Sequence, residues 1–330
     1  MMSETTTITA ADGVRIAADG VRIAADVAGS GPLLLFVHGF PELRQSWHRL
    51  TPAVAGAGYR TAAIDVRGYG DSDRPEAIDA YRMEAIVADL VAAADALSQG
   101  APVTLVGHDW GASIVWNSIM ARPDRFGAVA ALSIPWLGRA AAPFDAMFKR
   151  RFTDKGRFFY QAYFQEPGVA EAELEADPAR FLHAFYHSIS GDAAPGDWPN
   201  DKPHGAKLLD GLRFPDALPA WLDPGYFAHS SATFARTGFA GALNRYRNHG
   251  RDFDWAGGFD PVIRRPALFI GGSSDPALVL GTADPVPLMR EVVPDLEAHM
   301  LAGCGHWTQA ERAAEVEVLL IPWLRRTVPA

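Results

Sequence analysis

The 330-residue sequence predicts an α/β fold, a mainly parallel sheet covered on both faces by helices, with a helical insertion. Three observations predict it. Short unbroken apolar runs, such as Pro32–Val37 and Pro266–Ile270, alternate with longer helix-like stretches, and strands apolar throughout are buried on both faces, as in parallel sheets. The run Pro102–Val106 breaks into Gly107-His108-Asp109-Trp110-Gly111 and then into helix-like Ala112–Met120, a strand, tight turn and helix in immediate succession. Between Ile134 and Pro266 strand signals vanish, and the chain is instead dense in aromatic residues, among them Phe148, Phe159, Phe185 and Trp198.

Bulk properties bound the function. With 48% hydrophobic and 21% charged residues the composition is that of a globular protein. The length calls for more than one ordinary domain, and the loss of strand signals divides it into a core over 1–135, a helical lid over 136–248 and the rest of the core over 249–330. A net charge of −9 argues against nucleic acid and anionic membranes as partners, and no apolar run approaches the length of a membrane span. The single Cys304 excludes an internal disulfide framework and fits the cytoplasm. Met1–Thr7 carries no basic and apolar regions of the kind that make a signal peptide.

Taken in order, the chain opens with a tandem duplication over residues 10–23, in which Ala-Ala-Asp-Gly-Val-Arg-Ile occurs twice and Ala24-Ala25-Asp26 begins a third copy. Its Asp-Gly turn signals and Val-x-Ile alternation predict a first hairpin. Strands follow at Pro32–Val37, Tyr59–Asp65, Pro102–Gly107, Ala128–Ile134, Pro266–Ile270 and Glu297–Leu301, and helices at Trp47–Ala55, Tyr81–Gln99 and Gln309–Arg325. The glycine-rich turn Arg67–Ser72 lacks the lysine and third glycine of phosphate-binding loops and reads as structural.

The chemistry centres on Asp109. A turn of the form Gly-x-Ser-x-Gly suits acyl transfer, because serine forms an ester that water can cleave. Serine attack on a saturated carbon would leave a dead-end ether. A carboxylate attacking that carbon gives an alkyl ester, which water can open at the aspartate's own carbonyl. Asp109 therefore predicts hydrolysis at a saturated carbon in two steps, with no cofactor and no metal. The water needs a base, and His306 in Gly303-Cys304-Gly305-His306-Trp307 lies between the last strand and the last helix. The base needs an orienting acid, and Asp275 follows the strand ending at Ile270, with Asp284 the alternative. Both fall at the carboxyl ends of strands, where open α/β sheets bind ligands. The backbone N–H groups of Trp110 and of Phe40, in His38-Gly39-Phe40-Pro41, can supply an oxyanion hole. The order nucleophile, acid, histidine is that of the α/β-hydrolase fold.

From about residue 30 onward the chain resembles epoxide hydrolases of that fold, of the microbial and mammalian-soluble type. The resemblance rests on His38–Glu42, Gly107–Gly111, Tyr160–Gly168, Asn244–Asn248 and Gly305-His306-Trp307. It implies that two lid tyrosines, Tyr160 and Tyr246, point at the substrate oxygen, with Tyr163 a neighbour at the substrate, and that the Phe40–Pro41 bond is cis. It implies a small apolar epoxide as the substrate, bound against Phe40, Trp110 and Tyr163. The chemistry explains the tyrosines: ring opening creates an alkoxide, a poor leaving group unless hydrogen-bonded or protonated, and a phenol stays protonated at neutral pH. A halide leaving group needs no such acid.

Other residues read as structural. His183 and His187 stand four apart, but Ala184-Phe185-Tyr186 between them lacks the glutamate of a zinc-protease motif. Cys304 reads as a small packed residue near the site, His38 as a prop for the oxyanion loop, and His108 as turned into the protein.

Overall fold

The computed structural model describes residues 4–7, 20–199, 201–279 and 284–329. Its sheet has eight strands: β1 (Glu4–Thr7), β2 (Ala24–Gly29), β3 (Leu33–Val37), β4 (Arg60–Ile64), β5 (Val103–His108), β6 (Phe126–Leu132), β7 (Ala267–Gly272) and β8 (Leu296–Leu301). They lie side by side in the order β1-β2-β4-β3-β5-β6-β7-β8. Pairing is antiparallel across β1, β2 and β4 and parallel from there to β8. Every residue of β3, β5 and β7 is buried, as their unbroken apolar runs require.

The duplicated stretch is only partly covered, since residues 8–19 lie outside the described residues. Its visible end, Val21–Ile23, buries Val21 and Ile23 but stands outside the ladder, which begins at Ala24. At the sheet edge β1 pairs antiparallel with β2, and the hairpin expected over the duplication falls largely outside the described residues.

Flanking the sheet are α1 (Leu50–Gly56), α2 (Met83–Ser98) and α3 (Trp110–Ala121). The helix expected at Trp47–Ala55 divides into a 3₁₀ turn at Arg44–Trp47 and α1. Pro52 then falls in the first turn of α1, where its missing N–H costs no helical hydrogen bond. Among the described residues seven α-helices lie between β6 and β7: α4 (Phe144–Arg151), α5 (Tyr160–Tyr163), α6 (Val169–Leu174), α7 (Pro178–Ser188), α8 (Pro224–Thr237), α9 (Ala240–Tyr246) and α10 (His249–Ala256). Asp177 and Asp223 cap α7 and α8, each accepting the N–H three residues on, ahead of a proline at the first helical position. After β7 follow α11 (Pro276–Val279) and α12 (Val286–Val292), and after β8 follow α13 (Thr308–Glu311) and α14 (Ala313–Thr327). The single closing helix expected over Gln309–Arg325 is broken at Arg312, whose φ of −129° leaves the helical region.

Two apolar clusters lie on the two faces of the sheet. One joins Leu35, Val37, Leu105 and Val115 to the residues of the helical insertion, including Phe164, Phe181 and Phe239. The other joins Leu34, Phe36, Val106 and Ile270 to Trp47, Leu320 and Trp323. Most rings of the insertion belong to the first cluster, so the insertion shares its core with the sheet domain. Among the described residues no helix is long and apolar enough to cross a membrane.

Candidate active site

Asp109 is held where β5 turns into α3, with φ 53° and ψ −119°, a conformation that L-residues rarely adopt. The flanking glycines make the turn possible. A Cβ on Gly107 would stand 2.3 Å from the carbonyl oxygen of Gly111, and one on Gly111 only 1.9 Å from that of Val37. The elbow is therefore pressed against β3 and can be built only from glycine at these two places.

Around Asp109 the structure brings together groups from five segments. The Phe40 N–H donates to Oδ1 at 2.9 Å, across the cis Phe40–Pro41 bond. Trp110 is the first residue of α3, so its N–H has no acceptor within the helix. His306 Nε2 lies 3.4 Å from Asp109 Oδ2, and its Nδ1 lies 3.0 and 3.1 Å from the two oxygens of Asp275. Asp275 is fully buried, and its Oδ1 also accepts the Ala277 N–H. Asp284, the alternative acid, is instead exposed, with Oδ1 accepting the N–H of Val286 at the start of α12.

Above this chain lie the two expected tyrosines, Tyr160 from α5 and Tyr246 from α9, with ring centroids 6.2 Å apart. The Tyr246 ring stands edge-on to Trp110 at 5.1 Å and to Phe40 at 5.5 Å. Both phenols face a cavity of about 580 Å³ whose wall also includes Asp109, Trp110, Phe40 and His306. Tyr163 is turned out of that cavity, which corrects the expectation that it meets substrate. Its hydroxyl donates to Glu173 Oε2 at 2.9 Å.

Electrostatics bind the cluster into one unit. Burial pushes the Asp109 carboxyl up, but hydrogen bonding and charge from His306 outweigh it, leaving the group below the ordinary carboxylate value. Burial pulls His306 down, but Asp275 and Asp109 on its two sides lift it well above the usual histidine value. Burial holds Tyr160 and Tyr246 above the ordinary phenol value, with the nearby Asp109 charge acting in the same direction. Behind the Tyr160 oxygen stands a donor: Gln161 Nε2 donates to that hydroxyl at 2.8 Å, which leaves the phenol proton free for the cavity.

Several members escaped the sequence reading. Ser133, at the end of β6 with φ 72°, donates to Asp275 Oδ2 and sits 2.9 Å from His306 Nδ1. A serine at a strand end carries no signal of its own, and only the pairing of β6 with β7 brings it to Asp275. Arg245 stacks over Trp110 at 4.6 Å, with its guanidinium bonded to Asp252 and the Tyr81 carbonyl. His249 stacks on the same ring at 5.9 Å, and burial together with Arg245 pushes its imidazole down to about 3, so it is neutral.

Beneath the elbow, Glu42 Oε2 accepts the Gly39 N–H at 3.0 Å and lies 2.8 Å from His108 Nδ1, while His108 Nε2 donates to the His306 carbonyl at 2.8 Å. His108 thus points into the protein and ties the oxyanion loop to the histidine loop. His38 donates from Nδ1 to the Gly39 carbonyl and accepts the Val66 N–H at Nε2, as a prop for that loop requires. Cys304 is buried, and burial pushes its thiol up to about 12, which leaves it inert. His187 Nε2 lies 3.1 Å from Asp197 Oδ2, and His183 Nε2 3.2 Å from the Ala217 carbonyl, so these two histidines face different partners. Among the described residues no group of three or more His, Cys, Asp or Glu side chains could hold a metal ion.

A parallel sheet with a strained elbow, an acid and a histidine at one edge defines a hydrolase class. Residues 32–313 match the family model of the alpha/beta hydrolase fold. The chain is 43% identical over 306 residues to epoxide hydrolase A of Mycobacterium tuberculosis, covering 89% of this chain and 90% of that one. It superposes with a TM-score of 0.89 on an epoxide hydrolase from an endophytic Streptomyces, at 43% identity and 98% and 95% coverage of the two chains. Epoxide hydrolase A from Mycobacterium thermoresistibile gives a TM-score of 0.88 at 39% identity, with 98% of each chain covered. The chain belongs to the epoxide hydrolases of the α/β-hydrolase fold family.

Proposed function

We propose that this protein hydrolyses a small apolar epoxide to a vicinal diol through a covalent ester on Asp109. The Phe40 amide already occupies Oδ1, which marks that atom as the future ester carbonyl and leaves Oδ2 to attack a ring carbon. As the carbon–oxygen bond breaks, Tyr160 and Tyr246 donate to the departing oxygen. Esterification removes the Asp109 charge, and with it one of the two anions that keep His306 protonated. His306 gives that proton up, by way of the phenols, to the alkoxide that ring opening creates, and the neutral imidazole then takes one from a water that attacks the Asp109 carbonyl carbon. The oxyanion forms against the Phe40 and Trp110 amides, collapse releases the diol, and the carboxylate is restored.

The observation that carries this reading is a carboxylate, rather than a serine hydroxyl, at the tip of a strained elbow in a cavity that two tyrosines also line. Asp275, bonded to His306 Nδ1, acts as the orienting acid. The helical insertion over 136–248 acts as a lid that keeps water away from the alkoxide, and α10 beyond it lines the same cavity. The buried Cys304 thiol suits a reducing, cytoplasmic setting.

The test is intact-protein mass spectrometry of His306→Gln incubated with an aryl epoxide and, separately, a bromoalkane. The expected result is an adduct carrying the full epoxide mass, mapped to Asp109. An adduct from the bromoalkane alone, with bromide released, would turn the assignment to a dehalogenase.

A further inference from the structure

Glu311 is a half-buried carboxyl that the proposed reaction does not use. It closes α13, where the expected helix breaks, and turns back toward the histidine loop. Its Oε2 accepts the N–H of Gly305 at 2.8 Å and that of Gly191 at 2.9 Å, and its Oε1 accepts the N–H of Trp307 at 3.0 Å. Two of these donors flank His306 in sequence, and the third belongs to the segment after α7 in the helical insertion. That segment makes a second contact of its own, since the His306 N–H donates to the Ile189 carbonyl at 2.9 Å. The two backbones lie so close that a Cβ on Gly305 would stand 2.2 Å from the Gly191 nitrogen. A Cβ on Gly191 would meet the Gly303 carbonyl at 2.2 Å and Glu311 Oε2 at 2.9 Å. At the other end of this junction, Trp307 Nε1 donates to the Tyr186 carbonyl at 2.8 Å, and the Tyr186 hydroxyl donates to the Pro41 carbonyl at 2.7 Å.

A neutral helix end could satisfy one or two of these amides with water. Three amides converging on one carboxylate, in a place closed by two glycines, form a rigid joint. We propose that Glu311 is a positioning residue that fixes the His306 imidazole for the water-attack step and locks the Ile189–Gly191 segment of the lid to it. The proposal rests on the reading of Asp109 as nucleophile and His306 as base. Alkylation uses Asp109 and the tyrosines, which Glu311 does not touch. Hydrolysis uses His306 Nε2, whose position depends on the loop that Glu311 holds.

The test is Glu311→Gln, in which the side-chain amide turns a donor toward amides that need an acceptor. Alkylation and ester hydrolysis are followed separately in single-turnover experiments with an aryl epoxide. The expected outcome is a fall in the hydrolysis rate of about 10- to 100-fold, the range that ångström-scale misplacement produces. Alkylation should stay within about threefold, and the alkyl-enzyme should build up in the mass spectrum. In the steady state kcat and KM then fall together while kcat/KM holds, because kcat/KM reports only the steps through alkylation. A purely structural role would lower kcat through loss of folded enzyme and leave KM alone. Gly191→Ala, which strains the same joint from the lid side, should give the same split and serves as the readout if Glu311→Gln does not fold. Equal slowing of both steps, or unchanged hydrolysis, in the variant that folds overturns the proposal. Absence of any adduct in His306→Gln would instead overturn the underlying reading.

Discussion

Replacing Tyr160 and Tyr246 by phenylalanine tests the part of the site on which epoxide chemistry turns. Both hydroxyls face the cavity above Asp109, and both phenols are held protonated by burial and by the carboxylate beneath them. A hydrogen bond to a charged group is worth about 1.5–3 kcal/mol, and each ~1.4 kcal/mol is tenfold in rate. One phenol should therefore contribute about 10- to 150-fold to alkylation. In either single variant the surviving phenol still serves the alkoxide, so the double variant should lose more than the two single losses multiplied together, at least about 10²-fold. Tyr160→Phe also leaves Gln161 Nε2 without its partner, at a cost of about 1–3 kcal/mol in stability, so rates must be taken per folded molecule. The assay is the single-turnover rate of adduct formation in the His306→Gln background, where hydrolysis does not interfere. Because both phenols titrate above the ordinary value of 10.0, alkylation by the parent should show no basic limb from them below about pH 10. Undiminished alkylation in the double variant would refute the role given to the tyrosines and leave the leaving group without an acid.

Two further outcomes are expected. Ser133→Ala removes one donor from the buried Asp275 carboxylate, which keeps the Ala277 N–H and His306. Chemical denaturation should register a loss of about 1.5–3 kcal/mol, and rapid kinetics should place the rate loss in ester hydrolysis rather than alkylation. Asp109→Asn removes one of the two anions that raise His306. The imidazole should then deprotonate at lower pH than in the parent, and NMR titration of the ring reads this directly.

The comparison between sequence and structure is most instructive at particular residues. The positions of Asp109, His306 and Asp275 were legible because each sits in a short motif at the end of an apolar run, but chain order left Asp284 beside Asp275, and only the packed molecule puts Asp275 against His306. Phe40 and Trp110 were legible for the same reason, as neighbours of motif residues. The hairpin expected at the duplication of residues 10–23 falls largely outside the described residues, and the described ladder at that sheet edge pairs Glu4–Thr7 with the start of β2. Tyr163 misled because two tyrosines three residues apart on a single helical turn look equivalent until their neighbours are known. Glu173 beside one and the cavity beside the other decide between them.

What the sequence determined by itself was local: the buried strands, the glycines that let a carboxylate occupy a strained turn, and hence attack at carbon followed by ester hydrolysis. Those properties depend on residues within a few positions of one another, where sterics and apolar periodicity act directly. What only the tertiary structure decided was convergence. Ser133 reaches Asp275 across 142 residues, Glu42 reaches Gln309 across 267, and Glu311 gathers amides from the lid and the histidine loop. Each of these is an ordinary polar side chain whose role comes from burial beside a particular partner, and burial is a property of the packed molecule rather than of any stretch of its chain.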